Sequence, residues 1–324
     1  MEPLTILDAA AVEAAMPDPE ERLTLAERAM RALADGTARL PPKVGLEARA
    51  TDSFAHAMPA WLGGPDPSGA QDLLGLKWVT GFPANAEAGW PAIGATVLLN
   101  DPRTGRVRAV LDGGPITAQR TAAVSGVALR LFGPAAGTAV NVGILGAGAQ
   151  ARSHIPIVGH LLPGARLRIF DRQRARAEAV AEEAGETGGI GAAEAVASAR
   201  EAVDGAEVVV TLVSFGPPES RQALDATWLA PDATIVAVDY DMSLPASVAA
   251  GAAVFATDER AQFLAVRAEG WLSGYPDPPL TLGEALLHRA PRPPRGRVLV
   301  THLGVGLADL VFAAAVLRRA QGSG

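Results

Sequence analysis

The stretch that most restricts how this chain can fold is Asn141-Val-Gly-Ile-Leu145, followed at once by Gly146-Ala147-Gly148-Ala149-Gln150-Ala151. A short apolar run, a Gly-x-Gly-x-x-Ala turn and then a helical pattern read as the first strand, loop and helix of a dinucleotide-binding βαβ unit. Gly146 permits the tight turn. Gly148 lets the backbone approach a pyrophosphate at the positive end of the helix, and the third place needs only a small residue, here Ala151. The next apolar run, Leu167-Arg-Ile-Phe170, ends in Asp171, about 20 residues beyond the loop, where such units recognise a ribose. A glycine-rich turn that serves packing alone is the competing reading, and the strand–loop–helix context weighs against it. Gly146, Ala147, Gly148, Ala149, Gln150, Asp171 and Arg172 are the candidate cofactor residues. Asp171 favours NAD(H), because it accepts from both ribose hydroxyls and repels a 2′-phosphate. Arg172 and Arg174 follow directly and leave NADP(H) open, although a solvated helix start explains them better.

Further apolar runs at Glu207–Val213, Thr234–Val238 and Val254–Ala256 alternate with helical patterns, as in a parallel, doubly wound sheet. The N-terminal part has a different rhythm. Residues 7–36 read as two helices punctuated by Asp18 and Pro19. From Val44 to Val110 short extended runs dominate, clearest at Gly75–Val79, Ala95–Leu99 and Val107–Leu111, the last two joined by a hairpin loop at Asn100–Gly105. Ile116–Leu131 reads as an amphipathic helix; Val298–Val300 and a helix over Val305–Arg319 close the chain. The predicted fold class is α/β: a Rossmann dinucleotide-binding domain over 133–298, plus a discontinuous α+β substrate-binding and dimerisation domain made of 1–132 with 299–324.

Composition removes other classes. Of 324 residues, 49% are apolar, which suffices for a sizeable core, and the net charge of −7 comes without any basic block. Nucleic acid and anionic membrane are therefore not expected partners. There is no cysteine, so disulfides, thiolate metal sites and a cysteine nucleophile are excluded. No His/Glu spacing suggests zinc, and no Gly-x-Ser-x-Gly elbow is present. No run approaches the ~20 apolar residues of a membrane span, and the first residues lack a signal-peptide pattern. A cytoplasmic bacterial protein acting on a small molecule is the expectation.

Several segments together resemble the ornithine cyclodeaminase/mu-crystallin family. They are Pro41-Pro-Lys43, Met58-Pro-Ala60, Gly75-Leu-Lys77-Trp-Val79, Gly81-Phe-Pro-Ala-Asn85, Val97-Leu-Leu-Asn-Asp101, Leu111-Asp-Gly-Gly114, Ile116-Thr-Ala-Gln-Arg120-Thr-Ala-Ala123 and the Gly146 loop. The combination of the Lys77 and Arg120 segments with the loop is specific; no single piece is. The resemblance implies a Rossmann domain plus a discontinuous domain whose sheet builds a homodimer. It also implies nicotinamide-dependent chemistry at the α-carbon of an amino or imino acid, with ornithine cyclodeaminase as the best single name. A net imine reductase or amino-acid dehydrogenase is the alternative, and a non-catalytic nucleotide-binding protein, as a crystallin can be, is a further one.

By the same resemblance Lys77 and Arg120 hold the substrate carboxylate, a task that suits a guanidinium fork. Lys77 lies inside an apolar strand and Arg120 interrupts an Ala-rich helix, so each is either solvated or deliberately buried. Lys43, where many relatives carry Arg, and Met58 join them as substrate-binding candidates. Thr121 matches a position that reaches the cofactor phosphate, as does Arg120. Asp241, three residues past Val238, matches the catalytic carboxylate that pairs with the substrate amine; Asp239 competes with it, and one of the two can be a loop-capping Asp. Lys77 and His302 complete the candidate catalytic group. Two departures bear on the substrate: Pro245 stands where relatives often carry Lys, and His302 where they carry a small polar residue. Asp309 fits the closing helix and reads as structural.

Overall fold

The computed structural model describes residues 3–49, 53–135 and 139–322. The chain divides into two compact units, Met1–Arg120 with Gly304–Gly324, and Thr121–Leu303.

In the first unit β1 (Thr5–Leu7) leads into α1 (Ala9–Ala14) and α2 (Pro19–Ala34). Both helices open on an aspartate cap: Asp8 accepts from the Ala11 N–H and Asp18 from the Glu21 N–H, with Pro19 at the first helical position. Then come β2 (Ala38–Arg39), β3 (Val44–Leu46), β4 (Phe54–Leu62), β5 (Leu73–Gly81), β6 (Ile93–Asn100) and β7 (Val107–Asp112). They form a sheet in the order β1-β7-β6-β5-β4-β2, with β3 paired to β4; β1 runs parallel to β7 and the other pairs are antiparallel. The β6–β7 hairpin closes where Asp101 accepts from the Arg103 and Thr104 N–H groups, as the sequence predicts for Asn100–Gly105. Helix α3 (Gly113–Phe132) begins in this unit, and the chain returns to it for the last helix, Gly306–Ala320, buried on all sides from Gly306 to Leu317. That helix packs against β4, β5 and β6. Gly75 is needed there: a Cβ would stand 2.2 Å from the Leu98 carbonyl oxygen and 3.3 Å from the Leu310 side chain.

The second unit is a parallel sheet built from β8 (Asn141–Leu145), β9 (Ala165–Phe170), β10 (Ile190–Ala195), β11 (Val208–Thr211), β12 (Thr234–Ala237), β13 (Val254–Thr257), β14 (Leu280–Thr281) and β15 (Val298–Thr301). Their order is β10-β9-β8-β11-β12-β15-β13-β14. Helices α4 (Ala149–Leu161), α5 (Arg174–Gly185), α6 (Ala199–Val203), α7 (Ala246–Ala250), α8 (Arg260–Ala268) and α9 (Leu282–His288) connect them; the closing helix is α10. Strands β11, β12 and β15 are buried at every position, which explains their unbroken apolar sequences. Strand order reverses between β8 and β11, and at such a switch point a doubly wound sheet opens a crevice at its carboxyl edge.

The division of the chain falls at 120/121 and 303/304, whereas the sequence suggested 132/133 and 298/299. The reason is that α3 belongs to both units. Its second half is tied into the parallel-sheet unit: the Phe132 carbonyl accepts from the Thr234 hydroxyl at 2.5 Å and from Arg292 at 2.6 Å.

Candidate functional site

In the first unit strand alternation decides where Lys77 goes. Gly75, Lys77, Val79 and Gly81 occupy the buried face of β5, while Trp78 points the other way and is 39% exposed. Lys77 therefore lies beneath α10, with Met58 opposite it on β4 and Val97 on β6. Its ammonium, 1% exposed, forms an ion pair with Asp309 Oδ2 at 2.9 Å, and Arg120 Nε donates to Asp309 Oδ1 at 3.0 Å. Asp309, expected to be structural, is thus the carboxylate that both cations share. The Arg120 guanidinium lies flat on the backbone of Gly304: a Cβ there would stand 2.7 Å from Nη1, and φ is +82°. Gly306 likewise leaves room for the Met58 carbonyl, 2.4 Å from where its Cβ would be.

Two cations on one carboxylate leave this buried group with positive charge to spare. Burial first, then Arg120 and Lys43, bring the Lys77 ammonium down to about 7, against the opposite pull of Asp309. Burial, Lys43 and Lys77 also hold His56 down at about 4, so it adds no charge near neutrality. Lys43 sits half-buried just before β3. A carboxylate brought to this place would meet cations already held in position and would restore the charge balance.

In the second unit the carboxyl edge of the sheet gathers the remaining candidates. Gly146 has φ +95°, and its Cβ would stand 2.5 Å from the Leu212 carbonyl oxygen. Gly148 is different. It caps α4 with extended backbone, and a Cβ there would meet nothing within 4 Å. The fold itself needs no glycine at 148, so the open space fits a ligand that lies against the backbone. Ala147 is buried, and Ala149 and Gln150 start α4, whose amide ends face that space. Asp171 closes the loop from the side: its Oδ2 accepts from the Ala147 N–H at 2.9 Å and its Oδ1 from the Gln173 N–H at 2.8 Å. Each oxygen retains a lone pair for a ribose hydroxyl. Arg172 is exposed, and Arg174 is engaged with Glu178 at 2.7 Å. Thr121 is buried within α3. These groups fit a dinucleotide.

The two aspartates after β12 divide cleanly. Asp239 is used up by the fold, accepting from the Thr211 hydroxyl at 2.7 Å, the Ser243 hydroxyl at 2.6 Å and the Val213 N–H at 3.4 Å. Burial raises its carboxyl to about 6 in spite of these bonds. Asp241 is equally buried, but only its Oδ2 has a partner, the Ser273 N–H at 3.4 Å; Oδ1 has none. Tyr240 between them has φ +57°, unusual for a bulky residue. Its ring packs tilted against Phe215 and edgewise against Trp271, 4.9 and 5.5 Å away, and Arg221 lies 3.5 Å over Trp271.

His302, directly after β15, is buried and hydrogen-bonds through Nε2 to the Ser125 hydroxyl at 2.8 Å; the same hydroxyl is 2.8 Å from His154 Nε2. Sequence reasoning passed over Ser125, His154, Phe215 and Trp271. The usable signal was the polar set Arg120, Thr121 and Ser125 among the small residues Ala122, Ala123 and Gly126 of α3. Among the described residues no cluster of acidic or histidine side chains has the makings of a metal site, and no helix is long and apolar enough to cross a membrane.

Known proteins share this sequence and architecture. Ketimine reductase mu-crystallin of Mus musculus is 32% identical over 287 residues, covering 86% of this chain and 84% of that protein. Thermococcus litoralis Delta(1)-pyrroline-2-carboxylate reductase, solved with NADH and L-proline, matches with a TM-score of 0.83 at 25% identity over 98% of each chain. An archaeal alanine dehydrogenase dimer with bound NAD gives a TM-score of 0.83 at 25% identity, over 98% of this chain and 96% of the other. The pattern of one family covers residues 5–247, and with it the Lys77, Arg120, glycine-loop and Asp241 positions; the chain belongs to the ornithine cyclodeaminase/mu-crystallin family.

Proposed function

We propose that this protein is an NAD(H)-dependent oxidoreductase that interconverts an α-imino carboxylate and the corresponding α-amino acid, working as a net imine reductase. The observation that carries this reading is the buried Lys77–Asp309–Arg120 group, whose surplus positive charge calls for a substrate carboxylate. Relatives that reduce ketimines or a cyclic imine carboxylate support the choice of substrate class.

The nicotinamide, when bound, supplies or takes up the hydride. The first unit grips the carboxylate through Lys77 and Arg120, with Met58 beside them and Lys43 adding positive potential. The second unit holds the dinucleotide on the Gly146–Gln150 loop and on Asp171, with Arg120 and Thr121 of α3 assigned to its phosphate, and NADH is preferred to NADPH. Asp241 receives the N–H of the substrate's iminium or ammonium on its unpartnered oxygen. His302 is the second group that hydrogen-bonds the substrate nitrogen.

A second reading, cyclodeamination of L-ornithine, draws on the same Asp241 oxygen, which is placed to take an ammonium proton. Pro245 in place of Lys and His302 in place of a small residue weigh against it. The deciding experiment follows NADH oxidation with 1-pyrroline-2-carboxylate and, separately, ammonia released from L-ornithine with a trace of NAD⁺. Stoichiometric NADH oxidation supports the reductase. Ammonia and proline far in excess of the NAD⁺ supplied would replace it with the cyclodeaminase. Inertness towards all imino, amino and keto acids, with tight NADH binding, would leave a binding protein without catalysis. The outer face of β5 and β6, where Trp78 is 39% exposed beside the half-buried pair Leu76 and Leu98, is assigned to a homodimer contact.

A further inference from the structure

The polar chain that ends on His302 has only one consistent arrangement of protons when its imidazoles are neutral. At its far end, His154 Nδ1 lies 2.6 Å from the Gln150 carbonyl oxygen, in the first turn of α4. A carbonyl only accepts, so Nδ1 carries the proton and His154 Nε2 is an acceptor. Ser125, 2.8 Å from that nitrogen, must spend its one proton on it. The Ser125 oxygen then has only lone pairs for His302 Nε2, also at 2.8 Å, so His302 must donate from Nε2. All three side chains are buried: Ser125 is 0%, His154 2% and His302 1% exposed. Water is thus kept from offering either ring an alternative partner.

We propose that Ser125 and His154 are positioning residues that lock His302 in its Nε2–H tautomer, so that Nδ1 is the atom through which His302 accepts a hydrogen bond from the second N–H that the substrate nitrogen carries as the product ammonium. This role toward substrate rests on the imine-reductase reading; the lock itself does not. The chain works as a brace and not as a wire. Passing a proton along it would leave an imidazolium at His154, which burial and the neighbouring His302 hold down at about 3. At pH 7 about one molecule in ten thousand would carry that charge. The Gln150 carbonyl ties the brace to the cofactor loop, so His302 takes its orientation from the helix that starts at the glycine turn.

The test is long-range ¹H–¹⁵N correlation on the full-length, NADH-loaded protein with labelled histidine, the five histidines being assigned by single substitutions. The expected spectrum shows His154 protonated at Nδ1 and His302 at Nε2. His302 found mainly as the Nδ1–H form overturns the lock, with no variant involved. In Ser125→Ala, the His302 signal should move to the averaged position of a mixed tautomer. With 1-pyrroline-2-carboxylate, kcat should fall about tenfold or more at little change in KM. An unchanged His302 spectrum in that variant overturns the lock. An altered spectrum with unchanged kcat overturns the role toward substrate. If no imino acid is turned over at all, the reading of function fails, and the role toward substrate with it, while the spectrum alone decides the lock.

Discussion

Raising the pH should loosen the protein's hold on a carboxylate, through Lys77 alone. In the free protein its ammonium titrates at about 7. If only the charged form grips, about nine-tenths of molecules are competent at pH 6 and about one in a hundred at pH 9. The apparent Kd then rises about ninety-fold, or about 3 kcal/mol. This requires the bound complex to keep Lys77 charged throughout. A carboxylate about 3 Å away contributes about 5 kcal/mol at an effective dielectric constant of about 20, worth about four pKa units, which is enough. Any grip that Arg120 retains alone makes ninety-fold an upper value. The probe is pyrrole-2-carboxylate, a planar acid whose ring N–H does not titrate in this range, with binding to the NADH-loaded protein measured calorimetrically from pH 6 to pH 9. In Lys77→Arg, where the guanidinium keeps its charge, the dependence should vanish. A flat wild-type profile, or the same slope in Lys77→Arg, would refute the reasoning.

The same shift leaves a mark on stability. Lys77 titrates at about 7 in the folded chain against 10.5 as an ordinary lysine, so between those values the unfolded chain binds more protons. Stability contributed by this group must rise with pH across that window and be flat below it. At pH 7 the buried ammonium costs about 4 kcal/mol relative to its solvated form. Lys77→Met should therefore melt higher than the wild type at pH 7 while losing carboxylate binding, and the gap should narrow toward pH 10.5. A lower melting temperature for Lys77→Met at pH 7 would show that the bond to Asp309 outweighs the burial of charge.

Other substitutions separate fold from function. Gly146→Ala should destabilise the whole fold, because its Cβ would lie 2.5 Å from the Leu212 carbonyl at φ +95°. Gly148→Ala should melt like the wild type and weaken NADH about tenfold, because the new methyl points into ligand space; thermal melts and NADH fluorescence titration distinguish them. Asp309→Asn leaves two buried cations without their anion and should cost about 3–5 kcal/mol in urea unfolding. Asp241→Asn should bind NADH normally and lower kcat about a hundredfold or more with the imine substrate; unchanged turnover would remove Asp241 from the reaction.

The legible part of the sequence was the part in which local rules and tertiary structure agree. The Gly146 turn carries its own backbone requirement, β8, β11, β12 and β15 are buried on both faces and so read as plain apolar runs, and α2 announces itself with Asp18, Pro19 and an apolar stripe. Strand β4 was missed because it is nine residues with Pro59 inside and only its alternate positions from Met58 to Leu62 fully buried. Strands β10 and β14 and helices α6 to α9 are short, and their stability comes from neighbours that one-dimensional periodicity does not show. The site was legible as a set of residue types and not as a set of partners. Lys77 and Arg120 stood out as charges in apolar surroundings. Asp309 did not, since nothing local distinguishes an aspartate that caps or packs from one that two distant cations share.

The aspartates at 239 and 241 show why partners matter more than types. Two residues apart at the end of a strand, they would point the same way if the strand continued. It stops at Ala237, and Tyr240 turns the chain through a left-handed conformation that a tyrosine adopts only at a cost of about 1 kcal/mol or more. The ring contacts with Phe215 and Trp271 offset that cost. The turn lets one carboxylate face inward to Thr211 and Ser243, where it fastens the loop between neighbouring strand ends. The other is left buried with an oxygen that the fold does not use. A buried acceptor without a donor costs about 1–3 kcal/mol, and a fold keeps such a group where a ligand supplies the missing proton. On that argument Asp239 holds the loop still, and the role proposed for Asp241 rests on the oxygen left over.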